Sequence, residues 1–200
     1  MIAAPRLRVL VACEYSGRVR DAFAARGHDA WSCDLLASET PGNHIQDDVL
    51  AHLADGWDLM IAHPPCTYLS RAGANLWKQR ERQAVDACVF ARTLYDAPIS
   101  KVAIENPIGR LSVLWRPPDQ RIHPWAFGDP YTKPTDLWLR NLSPLFAGPI
   151  VQPYPSTRRV KPNPNRSGTT YGRFMRENRS PRARSRTFPG IAAAMAEQWG

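Results

Sequence analysis

No apolar run in this 200-residue chain comes near the roughly 18 residues that a membrane-crossing helix requires, so no membrane partner is expected. The opening MIAAPRLRVLVACEYSG runs directly into a strand-like segment without a small-residue cleavage site, and it does not read as a signal peptide. Cysteine is scarce. Cys13, Cys33, Cys66 and Cys88 are widely spread, with no CxxC pair and no His/Cys cluster at zinc spacing, which fits reduced thiols in a cytoplasm. The five histidines (His28, His44, His52, His63, His123) show no ligand spacing either, so no metal is expected. Acidic residues are nearly missing from one segment. Residues 151–186 hold ten of the 26 Lys and Arg but one of the 18 acids, Glu177, leaving 16 basic and 17 acidic residues elsewhere. A near-neutral body carrying one basic segment points to a polyanion partner or to a solvated tail.

A hydrophobic fraction of 44% supports a folded protein, and the length suits a single core. LRVLVACEYSG is a β-rich run, and RVRDAFAARG follows as a helix with Val19, Ala22 and Phe23 on one face. HDAWSCDLL, WDLMIAH, KVAIENP and TDLWLRNL read as further strands, with NHIQDDVL as a short strand or turn. A helix over residues 77–95 is expected to bury Ala84, Val85, Cys88 and Val89. Trp115, Trp125 and Trp138 read as core, and PPDQRIHPWAFGDP as a rigid loop. Strands alternating with helices predict an α/β protein with a mostly parallel, doubly wound sheet. Past residue 145, proline, glycine, serine and arginine dominate until PGIAAAMAEQWG returns to helix. The expected organisation is an α/β domain over residues 1–150, a basic arm over 151–186, and a closing helix over 187–200.

Ligands of open parallel sheets bind beyond the carboxyl ends of the strands. Gly17 follows the first strand, where a tight turn lets backbone amides approach a ligand. Asp34 ends the second, suited to ribose hydroxyls. Asp48 ends the third run, suited to an adenine amino group. In series they point to an adenosine-containing cofactor. AHPPCTYLS then places Cys66 on two prolines that cannot continue a strand. A thiolate there is a strong nucleophile if a neighbour lowers its pKa. Cys13 and Cys88 read instead as small buried hydrophobes. Glu105 ends the apolar run KVAI, in a partly dry place that favours its protonated form. A thiolate adding to one ring carbon, with an acid holding the neighbouring nitrogen, turns a pyrimidine into a nucleophile at C5.

These residues resemble the DNA cytosine-5 methyltransferase family, in particular its short bacteriophage forms. PCTYLS matches the Pro-Cys motif with its serine four residues on (Pro65, Cys66, Ser70), and ENP matches the Glu-Asn motif (Glu105, Asn106). EYSG resembles the first cofactor motif, with Tyr15, Ser16 and Gly17, and SRTFPGIAAAMAEQW the closing one. The resemblance implies a Rossmann-like fold that uses S-adenosylmethionine, in the host cytoplasm if the chain is phage-encoded. It implies catalytic roles for Cys66, Glu105, Asn106 and Ser70, and cofactor contacts from Tyr15, Ser16, Gly17, Asp34, Asp48 and Pro64. It also implies DNA contacts from Lys133, Arg158, Arg159, Lys161, Arg166 and Arg173. The chain departs from the family at Val19, Thr67 and Pro107, and it lacks room for a large target-recognition domain. Two other classes stay open: a silent nucleic-acid-binding module, and an amino-methyltransferase acting on adenine or on cytosine N4. His63 and Cys66 suit the latter poorly.

Overall fold

In a computed structural model, the described residues are 5–148, 150–151, 174, 177–178 and 180–200. Seven strands form one mixed sheet: β1 (Arg8–Ala12), β2 (Asp29–Cys33), β3 (His44–Ile45), β4 (Leu59–Ala62), β5 (Lys101–Pro107), β6 (Gln120–Ile122) and β7 (Thr135–Arg140). Their order is β3-β2-β1-β4-β5-β7-β6. The first five are parallel, and β7 runs antiparallel to both β5 and β6. The sheet therefore follows the doubly wound order up to β5, with a reversed strand inserted before the edge. The α/β class and the mostly parallel sheet expected from the sequence are present.

The central strands are apolar on both faces because both faces are covered. Val9, Val11, Leu59 and Ile61 point to one side, packing with Val19 and Phe23 of α1 (Arg18–Ala24) and with Ile191, Met195 and Trp199 of α5 (Pro189–Trp199). Leu10, Ala12, Met60 and Ala62 point to the other, against Cys88, Ala91 and Leu94 of α2 (Glu81–Tyr95). Each fully buried large side chain removes about 1.5–3 kcal/mol worth of apolar surface from water.

Three expectations need correction. Helix α2 buries Ala84, Cys88, Ala91 and Leu94, whereas Val85 and Val89 are 44% and 55% exposed. Two alanines on the buried stripe let the helix lie close to the sheet, and the valines fall just off that stripe. The helix expected from residue 77 starts at Glu81, and two short 3-10 turns, Arg71–Leu76 and Lys78–Arg80, precede it. The segment expected as rigid loop contains β6 and a 3-10 turn, Pro124–Phe127. Trp138 is buried and stacks with the partly buried Trp115 at a centroid separation of 6.0 Å. Beyond these lie the short helices α3 (Leu111–Leu114) and α4 (Pro181–Ser185).

Candidate active site

The strand order turns back between β1 and β4, and this is where open α/β sheets bind ligands. The loop 13–17 leaves the carboxyl end of β1, Asp34 follows β2, Asp48 follows β3, and residues 63–66 follow β4. Glu105 and Asn106 lie in the last turn of β5. Nine of the ten residues expected to act in catalysis or cofactor binding thus lie at the carboxyl ends of the parallel strands, and Ser70 follows four residues after Cys66.

The nucleophile loop is clamped from below. Pro64 is buried, and its carbonyl accepts a hydrogen bond from Asn106 Nδ2 at 2.9 Å. The Cys66 carbonyl accepts from Leu69 N at 3.0 Å and Ser70 N at 2.9 Å, closing a turn beneath the thiol. Arg71 N donates to Ile108 O (3.2 Å) and Arg110 N to Leu69 O (2.7 Å), zipping this loop to the chain after β5. That close approach demands glycine at 109, where a Cβ would collide with the Leu69 carbonyl. Asn106, 1% exposed, and Ser70, bridged to Gly109, hold the loop in place and are positioning residues. Pro64 meets Asn106 and does not line the pocket described below.

Above this frame sits a cluster of ionisable groups. His63 Nδ1 is 3.0 Å from Glu105 Oε2, Thr135 donates to Glu105 Oε1, and Thr135 also reaches the Asn106 carbonyl at 3.0 Å. Burial pushes the Glu105 carboxyl up, but the hydrogen bond and charge of His63, the Lys133 ammonium and the Thr135 hydroxyl together hold it below its usual range. Burial likewise opposes a charge on His63, and Glu105 overcomes this with help from Glu14, so the ring is held above its usual value. Both shifts favour the imidazolium–carboxylate form of the pair. Glu105 is therefore ionised, not protonated as its apolar run implied; the missing element was a cationic partner three residues before the cysteine. Burial and the Glu105 charge push the half-buried Cys66 thiol up, with Lys133 opposing. The resting nucleophile is a thiol, not a lowered-pKa thiolate. Lys133, expected on DNA, donates from Nζ to Arg184 O at 2.6 Å and lies over the Phe174 and Phe188 rings. Burial lowers it, while Glu105 and Cys66 draw it up.

Beside the cluster, Cys13, Glu14, Tyr15, Ser16, His63, Ser185, Arg186 and Thr187 line a pocket. Buried Glu14 accepts from Val19 N (2.8 Å) and Ser16 Oγ (3.0 Å) through Oε1 and from Arg20 N (3.2 Å) through Oε2, capping α1 from the preceding loop. Gly17 sits at φ 73°, a left-handed turn that glycine adopts freely. Cys13 adopts the same region at φ 58°, so it is a pocket residue rather than plain core. Burial and the charges of Asp34, Cys33 and Asp48 push its thiol to about 12, although neither Asp34 nor Asp48 lines the pocket itself. Asp34 Oδ1 accepts from Leu36 N at 2.9 Å and Asp48 Oδ1 from Leu50 N at 3.0 Å. The second oxygen of each has no hydrogen bond among the described residues. Leu35 and Leu50 stand exposed next to them.

A C-terminal strap roofs the pocket. Glu39 holds Arg182 (3.1 Å) and Arg186 (2.8 Å), and the Tyr15 hydroxyl donates to the Arg182 carbonyl at 2.6 Å. Two cations of the basic segment are thus tied to the body. Arg158, Arg159, Lys161, Arg166 and Arg173, expected on DNA, lie outside the described residues. Among those described, Arg71, Lys78 and Arg82 are exposed on the loop and helix after Cys66, with Arg80 over the exposed Tyr68 ring. Sequence reasoning did not assign this basic loop, nor His63, Glu14 or Thr135, for which the histidine before Pro-Pro-Cys was the one legible signal; Ser185, Arg186 and Thr187 of the strap open the SRTFPG stretch that resembles the closing motif.

No protein-family model matches the chain, and no curated protein matches it. Among the described residues, no group of three or more His, Cys, Asp or Glu is arranged to hold a metal ion. Among them also, no helix is long and apolar enough to cross a membrane.

Proposed function

We propose that this chain belongs with the DNA cytosine-5 methyltransferases and transfers a methyl group from S-adenosylmethionine to C5 of cytosine in DNA. One observation carries the reading: His63, three residues before Cys66 on the loop after β4, lies 3.0 Å from Glu105 near the end of the neighbouring β5 and also lines the pocket at the sheet's reversal point, so thiol loop, carboxylate and pocket share one partly dry corner. The sheet order, parallel up to β5, supports the Rossmann-like architecture that such an enzyme needs.

The residues present fit the donor. Asp34 and Asp48 offer free carboxylate oxygens for ribose hydroxyls and an adenine amine. Leu35 and Leu50 offer apolar surface for a purine ring, and the loop 13–17 faces the remainder. When bound, the donor supplies an electrophilic methyl group.

The protein's own part is nucleophilic activation of the base. A target cytosine must leave the stack for C6 to be reached. Ionised Glu105 takes the proton of the Cys66 thiol as Sγ bonds to C6, and passes that proton to N3 as the ring's electron pair shifts toward it. The C5=C6 π bond is replaced by a Sγ–C6 bond and an N3–H bond, so charge balances and C5 becomes electron-rich. After C5 is alkylated and its proton leaves to solvent, N3 returns its proton by the same path and the thiol departs. Proton transfer by a placed carboxylate contributes about 10²–10⁴-fold to such a step. The basic loop after Cys66, with Tyr68, suits phosphate contact and base stacking close to the nucleophile.

The test uses the full chain, S-adenosylmethionine and DNA containing 5-fluorocytosine. A covalent protein–DNA adduct forms with the wild type and is absent with Cys66→Ala. A Cys66→Ala variant that still methylates C5 overturns the assignment.

A further inference from the structure

We infer that His63 is a positioning residue joining the two halves of this site, its Nδ1 fixing the Glu105 carboxylate and its Nε2 donating to a polar atom of the methyl donor. The inference rests on the methyltransferase reading and adds a donor contact to it. The His63 side chain is 10% exposed and lies 3.0 Å from Glu105 Oε2. It also lines the pocket between the loop after β1 and the C-terminal strap. Its Nε2 is buried and has no hydrogen-bond partner among the described residues. Buried polar atoms are nearly always hydrogen-bonded, and such an orphan in a pocket wall calls for a ligand atom. Glu14 is engaged with the start of α1 and Tyr15 with Arg182 and Ser185, while Arg186 bonds Glu39 through Nη2 and keeps its Nε within ion-pair distance of the same carboxylate, 2.8 Å, without a hydrogen bond.

Both contacts require N–H groups, so the donor-bound ring carries two protons. Glu105 and Glu14 face it and favour that form, while Lys133 opposes it. A neutral ring keeps one N–H, and whichever nitrogen loses its proton turns a lone pair toward an acceptor. Donor binding and the proton on His63 are therefore linked. A bound donor also keeps Glu105 ionised, ready to receive the Cys66 proton.

The experiment is calorimetric binding of S-adenosylhomocysteine to the full-length wild type, His63→Gln and His63→Leu between pH 6 and 9, with far-UV circular dichroism confirming that each is folded. The wild type is expected to lose up to about ten-fold in affinity per pH unit once the ring deprotonates, and to take up a proton on binding in that range. His63→Gln is expected to bind about ten-fold more weakly at pH 6, the worth of one charged hydrogen bond, and to show a flatter pH dependence. If only the leucine variant fails to fold, the wild type and glutamine variant still decide the matter. Wild-type binding without proton uptake, or a glutamine variant with wild-type affinity and slope, overturns the inference alone. A wild type that binds no S-adenosylhomocysteine at any pH overturns the methyltransferase reading and this inference with it.

Discussion

Replacing Arg20 with methionine removes a side chain that the sequence presents as an ordinary helical charge. In the structure Arg20 is 1% exposed, and its guanidinium fork is fully engaged. It donates to Ser32 Oγ (3.1 Å), Ser38 Oγ (3.0 Å), Thr40 Oγ1 (2.6 Å), Pro41 O (3.0 Å) and Asp21 Oδ1 (2.8 Å). Each hydrogen bond from a charged donor contributes about 1.5–3 kcal/mol. Part of the sum is recovered on substitution. Thr40 and Pro41 are exposed and regain water, Ser32 keeps its contact with His44 at 2.9 Å, and methionine relieves the burial of a cation while filling most of the space. The net loss is expected near 3 kcal/mol, and at about 2–4 °C per kcal/mol for a chain of this size Tm falls by about 6–12 °C. Urea denaturation and differential scanning calorimetry measure both. Arg20→Lys is expected to lose nearly as much, because an ammonium cannot reproduce the planar fork. The effect also reaches the site, since the loop that Arg20 anchors carries Glu39, which holds Arg182 and Arg186 over the pocket. S-adenosylhomocysteine should therefore bind Arg20→Met more weakly even at temperatures where the variant is folded. A methionine variant that loses under about 1 kcal/mol would refute the claim that the guanidinium holds this loop.

The His63–Glu105 pair stabilises the fold within a pH window. The Glu105 carboxyl is held below its usual 4.5, so its contribution is present above about pH 4.5 and lost as pH falls through the folded value. The His63 ring is held above its usual 6.5, so its contribution is present below pH 6.5 and lost as pH rises through the folded value. The stability gap between wild type and His63→Gln is accordingly largest between those limits and narrows by pH 9; a constant gap in urea titrations would refute the pairing. Asp34→Ala should cost about 1 kcal/mol for the lost turn hydrogen bond to Leu36, yet weaken S-adenosylhomocysteine about ten-fold or more in calorimetry; unchanged affinity would remove Asp34 from the donor site. Val89→Lys on α2 should stay within about 0.5 kcal/mol of wild type by urea midpoint, whereas a loss above about 1.5 kcal/mol would mean that the helix buries its valine face.

Much of the fold was legible because local pattern and tertiary context agree. The apolar runs of β1, β4 and β5 are buried on both faces, and turn residues separate them from α1 and α2. What escaped reading depends on partners distant in sequence. The rotation of α2 is set by the sheet it meets. β6, three residues long, exists because β7 offers a free edge. Within the site, Cys66, Glu105 and the strand-end acids could be picked out because parallel topology sends every carboxyl end to one rim. The protonation of Glu105 could not, since KVAI announces a dry environment and nothing adjacent announces an imidazole 42 residues away. The strap's ion pairing was hidden for the same reason, although its SRT stretch was singled out: Glu39 and Arg186 are 147 residues apart.

The reversed charge state of Glu105 also changes how the nucleophile is switched on. A thiol pushed up by burial and by a neighbouring carboxylate is a poor nucleophile toward solvent-borne electrophiles and resists oxidation, because reactivity follows the thiolate. The carboxylate that suppresses it is nevertheless the nearest base. In the proposed reaction, a cytosine between them supplies N3 as the final proton acceptor, so the charge that opposed ionisation is discharged onto the substrate as sulfur attacks. Reactivity is then conditional on an extruded base. A small alkylating agent has no ring nitrogen to close this relay, so it should modify Cys66 slowly under conditions in which 5-fluorocytosine DNA is captured rapidly. The opposite ranking would show that the thiolate is preformed, and that the imidazolium, the carboxylate and the sulfur do not share protons as their arrangement implies.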